Sequence, residues 1–93
     1  MHDVDLKITS ISDWPAVEQR LRKHFSVMPE FNKDVARLCK SISQLISKAS
    51  QADVLYRQTR QRKYLDQIEN YINQSNTYIT RFEKIWLFAQ LSR

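Results

Sequence analysis

The chain has 93 residues, no glycine, one cysteine and a formal net charge of +5, values that describe one small basic domain. An ordinary protein of this length would hold about six glycines. Because loops that cradle phosphates need glycine for close backbone approach, the sequence excludes a P-loop, a dinucleotide-binding fingerprint and a kinase-type loop. Cys39 has no partner for an intramolecular disulfide, and with His2 and His24 it gives too few ligands for a metal site. We expect no cofactor.

Positive charge is concentrated in the second half of the chain. Residues 1–46 hold seven Lys/Arg and six Asp/Glu, whereas residues 47–93 hold eight and four. A pI near 9.6 favours anionic partners such as nucleic acid. The longest apolar run, Ile85 to Ala89, is too short for a membrane span, and no secretory segment is visible. We therefore expect a cytoplasmic protein without membrane association.

Residues 1–12 alternate between apolar and polar side chains. Val4, Leu6 and Ile8 occupy every second position, the period of a half-buried strand. A single strand has three options: it pairs with its copy in another subunit, pairs with a different protein, or lies as an extended arm on the helices. We predict an extended arm over residues 1–12 and a helical domain over residues 13–92.

The first predicted helix begins at Ser12 and Asp13, both good N-cap residues, with Pro15 in the first turn. Pro29 ends this helix, because the residue before a proline is disfavoured in the α region. The apolar stripe of the helix consists of Trp14, Val17, Leu21, Phe25 and Met28.

The second predicted helix carries a heptad seam. The seam consists of Phe31, Val35, Leu38, Ile42, Leu45, Ala49 and Ala52. The next apolar pattern is two residues out of step, so we expect a break between Asp53 and Arg60 and a turn over Arg57 to Lys63. Val54, Leu55 and Tyr56 would then fold back over the end of the bundle.

The third predicted helix has the widest apolar face. Its seam consists of Leu65, Ile68, Ile72, Ser75, Ile79, Phe82, Trp86 and Ala89, and a second stripe consists of Tyr64, Tyr71, Tyr78 and Ile85. A wide face needs two neighbours, which the first two helices supply. The sequence therefore predicts an all-α fold, an antiparallel three-helix bundle that corresponds to a truncated four-helix bundle.

Apolar residues surround the C-terminal end of the third helix. Trp86, Leu87, Phe88 and Leu91 cannot all face the interior of a three-helix bundle. Because an exposed apolar patch of this kind marks an association site, we predict a homo-oligomer or an obligate protein partner there.

Two short motifs accompany this helical pattern: Tyr56-Arg57-Gln58 in the predicted turn and Glu69-Asn70 in the third helix. The arrangement resembles the small four-helix-bundle accessory proteins of diversity-generating retroelements, the Avd-like family, over residues 14–91. The resemblance implies a basic, oligomeric partner of a reverse transcriptase that binds nucleic acid. By position, the binding residues it implies are those of the Arg57 to Lys63 turn, with Arg20, Arg22 and Lys23. The family's fourth helix has no counterpart after Leu91, and the N-terminal arm is additional.

The leading functional hypothesis is a non-catalytic nucleic-acid-binding or nucleoprotein accessory module. Its candidate phosphate-binding residues are Arg57, Arg60, Arg62 and Lys63, with Tyr56 and Tyr64 as candidates for stacking on bases. The alternative is a small protein-interaction factor that docks on an acidic protein surface, such as a phage- or plasmid-encoded inhibitor, an antitoxin-like adaptor or a chaperone. The sequence does not separate RNA, DNA and an acidic protein as the partner.

An enzyme is disfavoured. Asp66 and Glu69 lie three residues apart on the third helix, but carboxylates in this position belong to solvated surface or to salt bridges with Arg62 and Lys63. No nucleophile or base lies at a catalytic spacing from them.

Overall fold

A computed structural model describes residues 6–92 of the chain. Three α-helices, α1 (Trp14–Phe25), α2 (Asn32–Thr59) and α3 (Arg62–Leu91), form the bundle, and the described residues contain no strand. Short 3-10 turns at Ile11–Asp13 and Pro29–Phe31 precede α1 and α2. Asp13 is the N-cap of α1 and Pro15 lies in its first turn, as the sequence predicts. The all-α, antiparallel three-helix prediction is confirmed.

The three helices differ in reach. Helices α2 and α3 form a long hairpin in a molecule that measures 52 × 24 × 18 Å, and α1 packs beside only part of it. The Trp14 indole N–H at the start of α1 donates a hydrogen bond to Ser43 Oγ at 3.1 Å. Since Ser43 lies sixteen residues before the end of α2, α1 begins about 24 Å from the α2–α3 turn. The arm extends further toward the turn than α1 does, because residues 9–12 line a pocket together with Asp53, Arg57 and Leu65. The turn end of the molecule therefore consists of the α2–α3 hairpin with the arm beside it.

An aromatic cluster closes the opposite end of the bundle. The fully buried Phe25 ring lies 4.8 Å from Phe82 and 5.2 Å from Trp86, measured between ring centroids, in edge-to-face geometry. The His24 ring lies 5.0 Å from Trp86, and Phe31 packs against Phe82 at 6.1 Å. These contacts fix the C-terminal end of α1 between α2 and α3, where aromatic pairs add to the stabilisation from buried area.

The seam of α3 faces the core, but its second stripe does not. Ser75, Ile79 and Trp86 are buried as the seam predicts, whereas Tyr78 is 42% and Ile85 61% exposed. The prediction that the first two helices cover both stripes is correct only in part, because Tyr64 and Tyr71 are half-buried whereas Tyr78 and Ile85 are exposed. The side chains around Tyr78 and Ile85 come from α2, from α3 and from the turn before α2.

The N-terminal arm is fastened to α3. Ile8 is buried, its backbone N–H donates to Asn76 Oδ1, and its carbonyl accepts a hydrogen bond from Asn76 Nδ2, both at 2.8 Å. Leu6 is also buried in the core. For residues 6–9 the structure therefore shows an arm that lies on the helices of its own chain. Val4, the other apolar residue of the predicted strand, lies outside the described residues.

The connection between α2 and α3 is shorter than the sequence pattern suggests. Helix α2 continues to Thr59, and only Arg60 and Gln61 separate it from α3. Arg60 has left-handed backbone angles (φ 58°, ψ 24°), and its N–H donates to the Tyr56 carbonyl at 2.6 Å. Val54, Leu55 and Tyr56 therefore remain helical, and the prediction that they fold back is wrong. The change in heptad phase occurs at one left-handed residue, which needs neither glycine nor proline.

Candidate nucleic-acid interface

Four cationic side chains meet at the turn end of the molecule. Arg57 belongs to the last turn of α2, Arg60 lies in the connection, and Arg62 and Lys63 begin α3. All four are exposed. The fold thus brings together the residues that the sequence analysis selected as a phosphate-binding cluster.

The four cations differ in their partners. Arg57 Nε lies 3.1 Å from Asp53 Oδ2, an ion pair on the surface of α2. Within residues 6–92, Arg60, Arg62 and Lys63 form no salt bridge with a carboxylate. The pairing of Asp66 with Arg62 that the spacing allows does not form, and Asp66 is exposed. Three cations therefore present their charge to solvent at one end of the hairpin.

Tyr56 and Tyr64 flank the turn, and both are half-buried. The Arg60 guanidinium carbon lies 5.6 Å from the Tyr56 ring centroid, and Lys63 Nζ lies 5.0 Å from the Tyr64 ring centroid. These distances are typical of cation–π contacts. A base that stacks on either ring has to displace the cation or stack on the Arg60 guanidinium plane instead. The stacking role of the two tyrosines stays a prediction.

The helix dipoles add little net electrostatic potential at the turn. The N-terminus of α3 has the positive end of its helix dipole there, but the C-terminus of α2 places a negative end beside it. The two ends largely cancel. The positive potential of this surface therefore comes from the side chains.

The basic residues of α1 form a separate cluster. Arg20, Arg22 and Lys23 are exposed, and Arg22 Nη2 bonds Glu18 Oε2 at 3.1 Å. Trp14 at the start of α1 lies about 24 Å from the turn, and α1 runs away from the turn toward the aromatic cluster. Arg22 follows Trp14 by eight residues and therefore lies more than 30 Å from the turn. The structure does not bring the α1 cations and the turn cations together.

The C-terminal patch of α3 is smaller than predicted. Trp86 is only 4% exposed, because it packs against Phe25 in the aromatic cluster. The prediction that Trp86 belongs to an exposed interface is therefore wrong. Leu87, Phe88 and Leu91 are exposed. Ile85 is also exposed, and the sequence analysis assigned it to a covered stripe.

Two further observations limit the kinds of site. In residues 6–92 no cluster of three His, Cys, Asp or Glu side chains is arranged to hold a metal ion. No helix of the described part is long and apolar enough to cross a membrane.

Comparison of the chain with protein-family models, curated proteins and solved structures gives no match. The resemblance to accessory proteins of diversity-generating retroelements stays a prediction, as does a reverse transcriptase partner.

Proposed function

We propose that this protein is a non-catalytic module that binds nucleic acid through the α2–α3 turn. The observation that carries the proposal is the cluster of Arg60, Arg62 and Lys63, which has exposed charge and no carboxylate partner within the described residues. A cation already paired with a carboxylate gives up that contact on binding a phosphate, whereas these three do not. Each phosphate contact releases a condensed counterion, which provides the driving force.

The shape of the turn end supports the same function. Helix α1 begins about 24 Å away, and the arm lies beside Arg57 and Leu65. Arg60, Arg62 and Lys63 are nevertheless exposed, so a phosphate backbone can reach them. Aromatic surface also lies directly beneath two of the proposed phosphate-binding charges, because the Arg60 side chain lies over Tyr56 and the Lys63 side chain lies over Tyr64.

Salt dependence of binding tests the proposal. A DNA duplex and a single-stranded RNA of about 20 nucleotides serve as probes, and fluorescence anisotropy gives the affinity. Three phosphate contacts predict a slope of log affinity against log salt of about −3 on duplex and about −2 on a single strand. Changing Arg60, Arg62 and Lys63 together to Ala should remove most of this slope.

The α1 cluster provides a matched control. Changing Arg20, Arg22 and Lys23 to Ala removes the same formal charge more than 30 Å from the turn. We expect this variant to keep the slope and most of the affinity. An equal loss in both triple variants would show that binding follows net charge and not the turn, and a flat slope in the unmodified protein would contradict nucleic-acid binding altogether.

The second candidate function is recognition of an acidic protein surface. The exposed Phe88 and Leu91 side chains favour it, because a nucleic-acid module does not need apolar surface at its far end. A pull-down with and without nuclease separates the two functions. Partners that survive nuclease treatment support protein recognition, and partners lost with the nucleic acid support the first proposal.

A further inference from the structure

A polar recess lies on the exposed face of α3, between the turn and the C-terminal patch. Its volume is about 360 Å³, and its lining consists of Asn70, Asn73, Gln74, Thr77, Tyr78 and Arg81. Residues 70–80 contain no charged side chain, although Asn and Thr are poorer helix formers than Glu, Lys and Arg. Helix stability alone therefore does not account for the composition of this face.

The polar groups of the recess are available to a ligand. The amide side chains of Asn70, Asn73 and Gln74 are exposed, and within residues 6–92 they form no hydrogen bond. Arg81 is also exposed and has no carboxylate partner in that part of the chain. Contacts between these groups and a ligand therefore replace only contacts with water.

Tyr78 lies between this recess and the apolar groove beside it. The Tyr78 side chain is 42% exposed, and it lines both the polar recess and the groove formed with Phe31, Phe82 and Ile85. The ring therefore has open space beside it, as the stacking of a base on an aromatic side chain requires.

Two further tyrosines connect Tyr78 with the turn. Tyr71 and Tyr64 precede Tyr78 by seven and fourteen residues, so the three follow one side of α3 at intervals of about 10.5 Å. Tyr64 is the ring beneath the Lys63 ammonium group. The same side of α3 thus leads from the turn cluster to the polar recess.

We propose that a single strand of nucleic acid runs from the turn cluster along α3 and stacks one of its bases on Tyr78. The inference rests on the proposed function, because the turn cluster provides the first phosphate contacts. Arg81 binds a phosphate next to the stacked base, and the amides of the recess form hydrogen bonds with base edges. A duplex cannot bind in this way, since its bases are stacked on each other and paired.

The length of the path suits such a strand. Lys63 and Arg81 are eighteen residues apart on α3, which corresponds to about 27 Å. A stacked strand rises about 3.4 Å per nucleotide, so about eight nucleotides reach from one cation to the other. This number lies within the range of about 4–16 nucleotides that single-strand-binding domains occupy.

The charges along the path suit a polyanion. Both carboxylates of α3 between Lys63 and Arg81, Asp66 and Glu69, precede the recess. Across the apolar groove, the carboxylate of Asp34 on α2 is already paired with an arginine. The strand therefore meets cations at both ends of the path, at the turn cluster and at Arg81.

Substitutions at Tyr78 test the stacking. Tyr78→Phe keeps an aromatic ring, and Tyr78→Leu replaces it with an apolar side chain that cannot stack. For single strands of about 20 nucleotides, RNA and DNA of the same sequence, Tyr78→Leu should bind at least about fivefold more weakly than Tyr78→Phe in fluorescence anisotropy. The tighter of the two strands identifies the ligand as RNA or DNA. A DNA duplex should bind both variants equally.

Three outcomes would contradict the stacking, and they are distinct. Equal affinity of the two variants for both single strands would overturn the inference and leave the turn as the binding site. An equal loss on the duplex would also overturn it, since a base on the Tyr78 ring would not be the cause. Absence of binding by the unmodified protein would contradict the proposed function as well.

The salt dependence of binding tests the phosphate contact of Arg81. Arg81→Ala should make the slope of log affinity against log salt shallower by about 0.7 on a single strand. Lys40→Ala is the matched control, because it removes one exposed charge on α2 next to Ser41, which lines the same groove as Tyr78. This control should keep the slope. An equal change in both variants would show that Arg81 acts only through net charge and would overturn its contact.

Discussion

Arg60 carries two roles that belong to different residue types. Its left-handed backbone (φ 58°) ends α2, a position that glycine usually occupies because it has no Cβ to clash. Its guanidinium belongs to the turn cluster. The chain contains no glycine, so this helix end keeps a strained arginine where the backbone alone would favour glycine, which is consistent with a functional need for the charge.

Substitutions at Arg60 separate these two roles. Arg60→Gly and Arg60→Ala remove the same charge, but only Gly relieves the left-handed strain. We expect the Gly variant to have a free energy of unfolding about 1 kcal/mol higher than the Ala variant, measured by urea denaturation. Both should bind nucleic acid equally weakly. If Ala is as stable as Gly, the left-handed conformation of Arg60 carries no cost and this explanation is incorrect.

Asp13 links the arm to α1 through its carboxylate. The Thr9 hydroxyl and the backbone N–H groups of Thr9 and Ser10 donate to Asp13 Oδ2, and these hydrogen bonds, led by the Thr9 hydroxyl, lower the pKa of the carboxyl below its ordinary value of 3.8. A carboxyl whose pKa is lower in the folded state than in the unfolded state stabilises the protein at pH values above its ordinary pKa of 3.8. That contribution is lost as the pH falls through the lowered pKa.

Thermal unfolding across acidic pH checks this contribution. At neutral pH, Asp13→Asn should melt at a lower temperature than the unmodified protein, because a neutral amide accepts these hydrogen bonds more weakly. The difference should narrow as the pH falls below 3.8, since the aspartate is then itself becoming neutral. A constant difference at all pH values would show that the charge of Asp13 does not stabilise the fold.

At the scale of elements, one side chain fastens the arm to the bundle. Asn76 satisfies both backbone groups of Ile8, as a neighbouring strand would. Asn76→Ala leaves a donor and an acceptor without a partner beside a buried residue, which should lower the free energy of unfolding by about 1–3 kcal/mol. Asn73→Ala, an exposed position one turn earlier on α3, should change it little. Equal effects in urea denaturation would mean that the arm does not contribute to stability.

Periodicity was enough to predict which segments are helical and, for the most part, which face of each helix is buried, because the apolar spacing exceeds what chance alternation gives. The position of the α2–α3 connection was harder to predict. A break made by a single left-handed arginine leaves no proline or glycine in the sequence, and the helix-forming residues up to Thr59 continue without interruption.

Part of the candidate site could be predicted and part could not. The turn cations are adjacent in sequence, so their clustering required no knowledge of packing. The apolar groove beside Tyr78 and Ile85 was not predicted, because its lining comes from residues that are distant in the sequence, such as Phe31 and Tyr78. The side of α3 on which α1 packs cannot be predicted from α3 alone. The wide second stripe of α3 was the available signal, since an unusually broad apolar face requires an additional neighbour.

At the scale of the whole molecule, the short α1 packs beside only part of the α2–α3 hairpin, and this has a consequence for local unfolding. Backbone amides near Ile42 and Ile79 lie beneath three packed elements, whereas those near Tyr56 and Tyr64 belong to a hairpin tip with exposed Val54 and Leu65 side chains. Deuterium uptake should therefore begin at the tip and advance along α2 and α3 toward the aromatic cluster, as local opening with a small free energy gives way to global unfolding. A polyanion bound at the turn would slow exchange most for the amides that exchange first. A single exchange time course would therefore report where the polyanion binds.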